Sequence, residues 1–402
     1  MSSPEYGPSW SALAEIIAFH DLAAPRRVLF GAGTLEQIGA LAREIAPGGT
    51  VALITGRRGA AASTGAARAQ ALLTASGLSV WRAPAVHGEP TVASVDALAA
   101  DLRGQHPALI IALGGGSVLD TAKALAALAT HPGSIAAYLE GVPQQRQLTR
   151  APLPVLAIPT TAGTGAEMTK NAVIRQLDPP AKRSLRAESL IPAAVIADPD
   201  LTLSLPPAIT AAAGLDALTQ LFEACISSKR TPGATAAAHL GLACAGDALL
   251  RAYHNPADHP ARGRMLFAAL CSGVALANAG LGLAHGLAAA LGARHQIPHG
   301  LACGMLLPAV LTYNAPACRP QLAAALAALL HREAPQPDTL ESDLGAISAL
   351  NAALGVPADL RGLELTAAEL PALAAAAQGN SLRGNPRPMT PENTLAFLRK
   401  VT

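Results

Sequence analysis

Three residues in the C-terminal half of the chain carry ligand chemistry. Asp216 lies in an apolar run that begins near Ile209, and Gln220 stands four residues on, so a helix there shows both on one face. His285 sits inside the helical pattern of Leu281–Leu291, and His299 inside Gln296-Ile297-Pro298-His299-Gly300. One carboxylate and two imidazoles form a set that can hold a divalent cation while leaving positions open to a substrate. Spacing along the chain does not bring the three together. Each residue type also serves as a hydrogen-bonded structural group at an otherwise apolar site.

The N-terminal half offers phosphate chemistry. The apolar run Leu109–Leu113 is followed at once by Gly114-Gly115-Gly116-Ser117 and then by a helix carrying Asp120 and Lys123. Glycines let the backbone turn tightly and approach a phosphate, and the helix start behind them supplies free N–H groups and a positive dipole end. Ser117 and Asp120 also fit an S-x-x-D capping box, the structural alternative for both. A second loop, Pro159-Thr160-Thr161-Ala162-Gly163-Thr164-Gly165-Ala166-Glu167, places three hydroxyls behind the run Val155–Ile158, where they can bond a diphosphate or ribose or simply cap a turn. A third apolar run, Val51–Thr55, ends in Gly56-Arg57-Arg58-Gly59. In dinucleotide folds an acid near such an end holds the ribose hydroxyls, whereas arginine accommodates a 2′-phosphate. Two arginines and no acid point to NADP(H), with a solvated surface turn as the alternative.

These residues need elements to position them. Apolar runs at Arg27–Phe30, Val51–Thr55, Leu109–Leu113, Val155–Ile158 and Ala194–Ala197 read as strands, alternating with helices at Thr34–Ile45, Ala66–Ser76 and Val118–Ala129. That alternation predicts βαβ units and a mainly parallel sheet. Beyond Leu205-Pro206-Pro207 the β-branched runs cease, and Ala/Leu-rich helical patterns follow at Ile209–Ser227, Gly233–Ala252, Arg262–Leu291, Pro320–His331 and Ser342–Leu354. The expected organisation is therefore an α/β nucleotide-binding domain over 1–206 and an all-helical domain over 207–402.

Composition narrows the classes. With 402 residues, 51% hydrophobic and 14% charged, the chain is long enough for two or three domains with their own cores and too apolar to stay disordered. A net charge of +2 with 3% aromatics supplies no basic stripe with interleaved rings, which argues against a nucleic-acid partner. Apolar stretches such as Ala151–Pro159 are cut by proline or polar residues before the ~20 residues that span a bilayer, so no membrane partner is expected. Five dispersed cysteines without a CxxC pair read as reduced thiols. Met1–Trp10 shows no basic stretch leading into an apolar core. Both features predict a cytoplasmic protein.

Taken in order, several motifs resemble the iron-containing (group III) alcohol dehydrogenase family over nearly the whole chain. They are Phe30-Gly31-Ala32-Gly33-Thr34-Leu35, Gly114–Ser117 with Asp120 and Lys123, Pro159–Glu167, Gly214-Leu215-Asp216-Ala217-Leu218-Thr219, and His285 with Pro298-His299-Gly300. The resemblance implies an α/β nucleotide domain, a helical domain, an active site in the cleft between them, and a homodimer. It implies that Gly115, Gly116 and Ser117 contact the pyrophosphate, that Thr160, Thr161 and Thr164 line the cofactor site, and that Lys182 reaches the nicotinamide ribose. Gly56 falls where NAD-preferring members carry aspartate. Asp216, His285 and His299 match three of four metal ligands, for Fe2+ or Zn2+. The chain departs at the fourth, where Gln220 replaces a histidine and offers only a neutral carbonyl oxygen, and Ala289 replaces a second histidine expected four residues after His285. His295 is a loop histidine that a proton relay or a replacement ligand would also suit. The implied activity is NAD(P)-dependent oxidation of small alcohols, or reduction of the aldehyde or ketone. The alternatives are a metal-independent reductase of the maleylacetate type acting on an oxo-acid and a catalytically silent nucleotide-binding homologue.

Overall fold

The computed structural model describes residues 10–57, 64–295, 297–335 and 337–402. Arg58 and Gly59, Gln296, and all of Met1–Trp10 except Trp10 lie outside them. The described residues group into two compact units. One comprises residues 23–161 and 165–205; the other comprises residues 206–402, the short segment 162–164, and residues 10–22 with helix α1 (Trp10–Phe19). The helical unit thus draws in two pieces from the first half of the chain, so neither unit is one uninterrupted stretch.

The first unit is built on a parallel six-stranded sheet. Its strands are β1 (Val28–Phe30), β2 (Thr50–Thr55), β3 (Ser79–Arg82), β4 (Leu109–Gly114), β5 (Val155–Pro159) and, after a hairpin of β6 (Asn171–Gln176) and β7 (Ala181–Arg186), β8 (Ala194–Ala197). The spatial order is β1-β8-β5-β4-β2-β3, and every pairing within it is parallel. Helices α2 (Ile38–Ile45), α3 (Ala66–Ala75), α4 (Val92–Arg103) and α5 (Gly116–Thr130) connect the strands. β4 and β5 are buried along their whole length, which is why they read as unbroken apolar runs rather than alternating ones. On one face Leu53, Leu109, Ile111 and Ile158 pack with Ile38, Leu41 and Leu73 of the helices. Each such side chain contributes roughly 1.5–3 kcal/mol when removed from water.

All five expected strands form, and three more appear. β3 is a half-exposed strand of four residues, and β6 and β7 are rich in Arg, Lys and Asn, residues without strand propensity, so tertiary pairing decides them. The unexpected α4 is announced by a Thr91–Ser94 capping box and buries Val95, Ala99 and Leu102 at helical spacing. The stretch Thr34–Ile45 begins as a 3-10 turn, Thr34–Gln37, before α2. Gly33, at φ 73°, makes the left-handed entry, and the Asp198 carboxylate accepts from Gly33 N at 3.1 Å and Leu35 N at 3.0 Å. The Phe30–Leu35 motif therefore ties β1 to the end of β8.

The second unit is helical among its described residues: α6 (Pro207–Ile226), α7 (Pro232–Ala245), α8 (Ala248–His254), α9 (His259–Ala279), α10 (Leu283–His295), α11 (His299–Leu329), α12 (Leu340–Ala353), α13 (Leu370–Ala376) and α14 (Pro391–Val401) follow α1. The pattern at Gly233–Ala252 is two helices, parted at Gly246. The pattern at Arg262–Leu291 is also two helices, bent by 102° where Gly280 takes φ 72°. α11 runs far beyond Pro320–His331: it starts at His299 and carries Pro308, Pro316 and Pro320, with non-helical backbone at Cys318. Prolines and glycines read as breakers there, but burial on neighbouring helices overrides them. α6 and α11 are long and apolar enough to cross a membrane by length and composition, a count the uninterrupted-run criterion did not anticipate. Both are mostly buried inside this unit, and α6 buries Asp216, Gln220 and Glu223.

Candidate active site

The direction of the chain across the sheet reverses between β2 and β4: β3 lies on one side of β2, while β4, β5, β8 and β1 follow on the other. In open parallel sheets the crevice outside the carboxyl ends of the strands at such a point is where nucleotides bind. Gly56 and Arg57 directly follow β2, Gly115, Gly116 and Ser117 follow from Gly114 at the end of β4, and Thr160 and Thr161 follow β5. The Thr160 amide donates to Gly114 O at 3.0 Å, and a side chain on Gly115 would press on Thr161 at 3.1 Å, so the loops after β4 and β5 lie against each other. The capping alternative for Ser117 fails. The N-cap of α5 is Gly115 and no side chain caps it, while Ser117 is already within the helix. The start of α5 thus offers its N–H groups to an anion.

Lys123 serves this loop pair from behind, with the Asp120 charge acting on it. The fully buried Lys123 ammonium donates to Ala166 O and Thr169 O, both at 2.6 Å, and to Thr169 Oγ1 and Asn171 O at 3.0 Å, clamping the end of the threonine loop to α5. Burial pushes Lys123 down to about 8 against the raising charges of Asp120 and Glu167, and burial lifts Glu167 to about 7. Thr164 belongs with the helical unit, where its carbonyl accepts from Gln220 Nε2 at 3.2 Å. Lys182 lies on β7 with its buried side chain paired to Glu89.

Within the helical unit Asp216, His285 and His299 do converge, and Cys303 joins them: one donor atom from each lies within 4.8 Å of all the others. Asp216 comes from the middle of α6, His285 from the first turn of α10, and His299 opens α11 with Cys303 one turn further on. Close helix approach makes this possible. A Cβ on Gly300 would stand 2.2 Å from Ala212 O and 2.9 Å from the Asp216 Cβ, so only glycine lets the start of α11 press on α6. Asp216 Oδ1 stands 3.3 Å from His285 Nε2 and 3.9 Å from His299 Nε2, and Cys303 Sγ stands 3.8 Å from His299 Nε2. Asp216 Oδ1 and His285 Nε2 are buried without a hydrogen-bond partner, a costly arrangement unless a cation joins them. The donor set therefore fits a divalent metal.

Glu223 orients the set. Its carboxylate accepts from Gly282 N at 2.8 Å and Ala284 N at 2.7 Å, and lies 2.7 Å from His285 Nδ1. It caps α10 and leaves Nε2 of His285 as the free ligand atom, the usual carboxylate–histidine support of a metal ligand. Asn385 adds to the same cap by accepting from Leu283 N at 3.2 Å. Burial alone would raise the Asp216 carboxyl, but the neighbouring imidazoles of His285 and His299 hold it below the usual range. Burial opposes charge on His285 and His299 too, yet Cys303 and the carboxylates, Glu223 included for His285, raise both. Burial would raise the Cys303 thiol, and the two imidazoles reverse that and lower it.

Gln220 is engaged elsewhere. Besides its bond to Thr164, its Oε1 accepts from Ser272 Oγ at 2.7 Å, so the amide oxygen expected as a ligand is already in use. His295 stands 3.7 Å from Glu369 and outside the four-donor group. The stretch Gln378–Arg387 buries Asn385 and leaves Arg383 exposed, while the Arg387 guanidinium lies 4.0 Å over the Tyr313 ring. Sequence reasoning missed Glu223 and Cys303, although both spacings were legible. Glu223 is seven residues after Asp216, and Cys303 four after His299, each on the ligand's own helix face.

Residues 25–199 match the iron-containing alcohol dehydrogenase family, and residues 210–402 match the Fe-containing alcohol dehydrogenase C-terminal family. Alcohol dehydrogenase 4 of Saccharomyces cerevisiae is 36% identical over 87% of this chain and 90% of its own length. A 1,3-propanediol dehydrogenase of Klebsiella pneumoniae is 32% identical over 95% and 98%. A solved 1,3-propanediol oxidoreductase superposes with a TM-score of 0.88 at 30% identity, covering 95% of this chain and 99% of that one. This chain belongs to the iron-containing alcohol dehydrogenase family, whose chemistry pairs a nicotinamide cofactor with a divalent metal.

Proposed function

We propose that the chain interconverts a small alcohol and its aldehyde or ketone with NADP(H) preferred over NAD(H), assisted by Fe2+ or Zn2+ held on Asp216, His285 and His299. The convergence of unpartnered Asp216 Oδ1 and His285 Nε2 on His299 carries this reading. A metal there supplies Lewis-acid polarisation of the substrate oxygen, and the nicotinamide supplies or accepts hydride. Asp216 contributes carboxylate charge at a site that burial keeps dry, and Glu223 keeps His285 aimed and in one tautomer. His299, with its side chain 31% exposed where Asp216 and His285 are closed, marks the side open to a small molecule.

The NADP(H) preference rests on Gly56 and Arg57 at the end of β2, where the sequence Gly56-Arg57-Arg58-Gly59 carries no acid of the kind that holds a free 2′-hydroxyl. Cytoplasmic residence is supported by five free cysteines. A homodimer is the assembly proposed, to be read by light scattering. The test of the whole reading is NADPH oxidation with short aldehydes before and after chelation, with Fe2+ or Zn2+ restored. Loss and recovery of rate is expected. A rate indifferent to chelator in protein shown to be metal-free would replace this reading with metal-independent reduction.

A further inference from the structure

We propose that Cys303 supplies a thiolate as the fourth ligand of the metal centre, in the place expected of Gln220, and that this donor set favours zinc. The inference rests on the metal-centre reading above and goes beyond it in naming a sulfur ligand.

The geometry points to sulfur in three ways. Cys303 follows His299 by one helical turn, so both project from one face of α11 toward Asp216. A tetrahedral zinc with Zn–S of about 2.3 Å and Zn–N or Zn–O of about 2.0–2.1 Å sets donor–donor edges of about 3.3–3.6 Å. Three of the six edges on the protein are 3.3 Å from Asp216 to His285, 3.8 Å from Cys303 to His299 and 3.9 Å from His299 to Asp216, and the others are no longer than 4.8 Å, so a bound ion would draw the donors together by up to about 1.5 Å. Gln220, in contrast, spends its oxygen on Ser272 and its nitrogen on Thr164. The remaining cysteines, Cys225, Cys244, Cys271 and Cys318, are buried outside this group.

Ligand chemistry then sets the preference. A thiolate with two imidazoles and one carboxylate is a softer set than three imidazoles and a carboxylate, and thiolate donors together with the divalent affinity order place zinc above ferrous iron. The two negative donors, Asp216 and Cys303, together neutralise a divalent ion in a site that burial leaves with little water.

Cobalt(II) alone is the probe, added to metal-stripped full-length protein. The expected result is tetrahedral visible bands together with an intense near-ultraviolet absorption from thiolate-to-cobalt charge transfer. Cys303→Ser loses the near-ultraviolet absorption while still binding cobalt, and its zinc retention against a chelating dye falls at least tenfold; Gln220→Ala keeps the absorption. X-ray absorption of the zinc-loaded unaltered protein, which needs no variant to fold, shows sulfur at about 2.3 Å. A Cys303→Ser protein with unchanged absorption and zinc retention, or a zinc edge without sulfur, overturns the thiolate ligand and leaves the three-ligand centre standing. Failure of the unaltered protein to take up cobalt, or equal uptake by His285→Ala, overturns the metal centre and the thiolate with it.

Discussion

At the carboxyl ends of β2, β4 and β5 the protein presents mostly backbone: Gly56, the glycines after β4, the uncapped start of α5, and threonines on one short loop. In the helical unit it presents side chains, one each from α6 and α10 and two from α11, brought to within 4.8 Å. A backbone site is set by strand order and by small residues, so neighbouring side chains tune its choice of ligand without dismantling it. A side-chain cluster depends on every helix being in register, and each loss is felt. It is also the part whose donor types can change, and here Gln220 and Cys303 mark that change.

The contrast can be broken most severely at His285. His285→Ala is expected to lower turnover by roughly a thousandfold, the scale of losing Lewis-acid assistance, while NADPH titrated by fluorescence binds as before. A fully active variant would remove the metal centre, and a lost NADPH signal would show the two regions to be one energetic unit. Next in size, Glu223→Gln is expected to weaken metal binding by about 10–100-fold, measured by competition with a chelating dye, because it supports His285 without being a ligand. Unchanged affinity would mean that packing alone aims the imidazole.

On the backbone side the expected effects are smaller. Gly56→Asp is expected to shift the NADPH-to-NADH ratio of kcat/KM by about tenfold toward NADH, near 1.4 kcal/mol. The added Cβ meets Val118 at 3.4 Å, an ordinary contact, so the variant tests charge rather than space. No shift in the ratio would leave Arg57 a surface residue.

The smallest effect is on pH. Burial lifts Glu167 from 4.5 to about 7, so between those values the native protein holds a proton that the unfolded chain has released. Stability therefore falls as pH rises through that window, and the loss is complete above it. Glu167→Gln is expected to flatten this part of the melting-temperature profile, the Lys123 charge being already among the causes that limit the rise to about 7. A difference between the two proteins that is constant with pH would show Glu167 to titrate normally.

The parallel sheet was legible because β2, β4 and β5 are buried on both faces and must be written in continuous apolar residues. β6 and β7 were not, since their Arg and Lys residues gain strand geometry only from each other across the hairpin. In the site, Asp216, His285 and His299 were singled out by type, and motif order supported them. Cys303 was hidden because the expected helices, Arg262–Leu291 and Pro320–His331, left out residues 299–303; the helix that puts the two on one face begins at His299 itself, past Pro298. Ser117 misled in the opposite way, fitting a capping box that Gly115 pre-empts by capping the helix two residues earlier.

Local sequence thus determined which segments could be strands, where glycine lets the backbone meet an anion, and which residue types can bind a metal. These are properties of a residue and its near neighbours, fixed by backbone freedom, side-chain periodicity and donor chemistry. The tertiary structure alone decided which donors meet. Asp216 and Cys303 are brought together by the Gly300 contact between α6 and α11, and His285 is aimed by a carboxylate 62 residues earlier in the chain. Donor chemistry is written one residue at a time, but a coordination sphere is a set of distances, and distances between helices are set by packing.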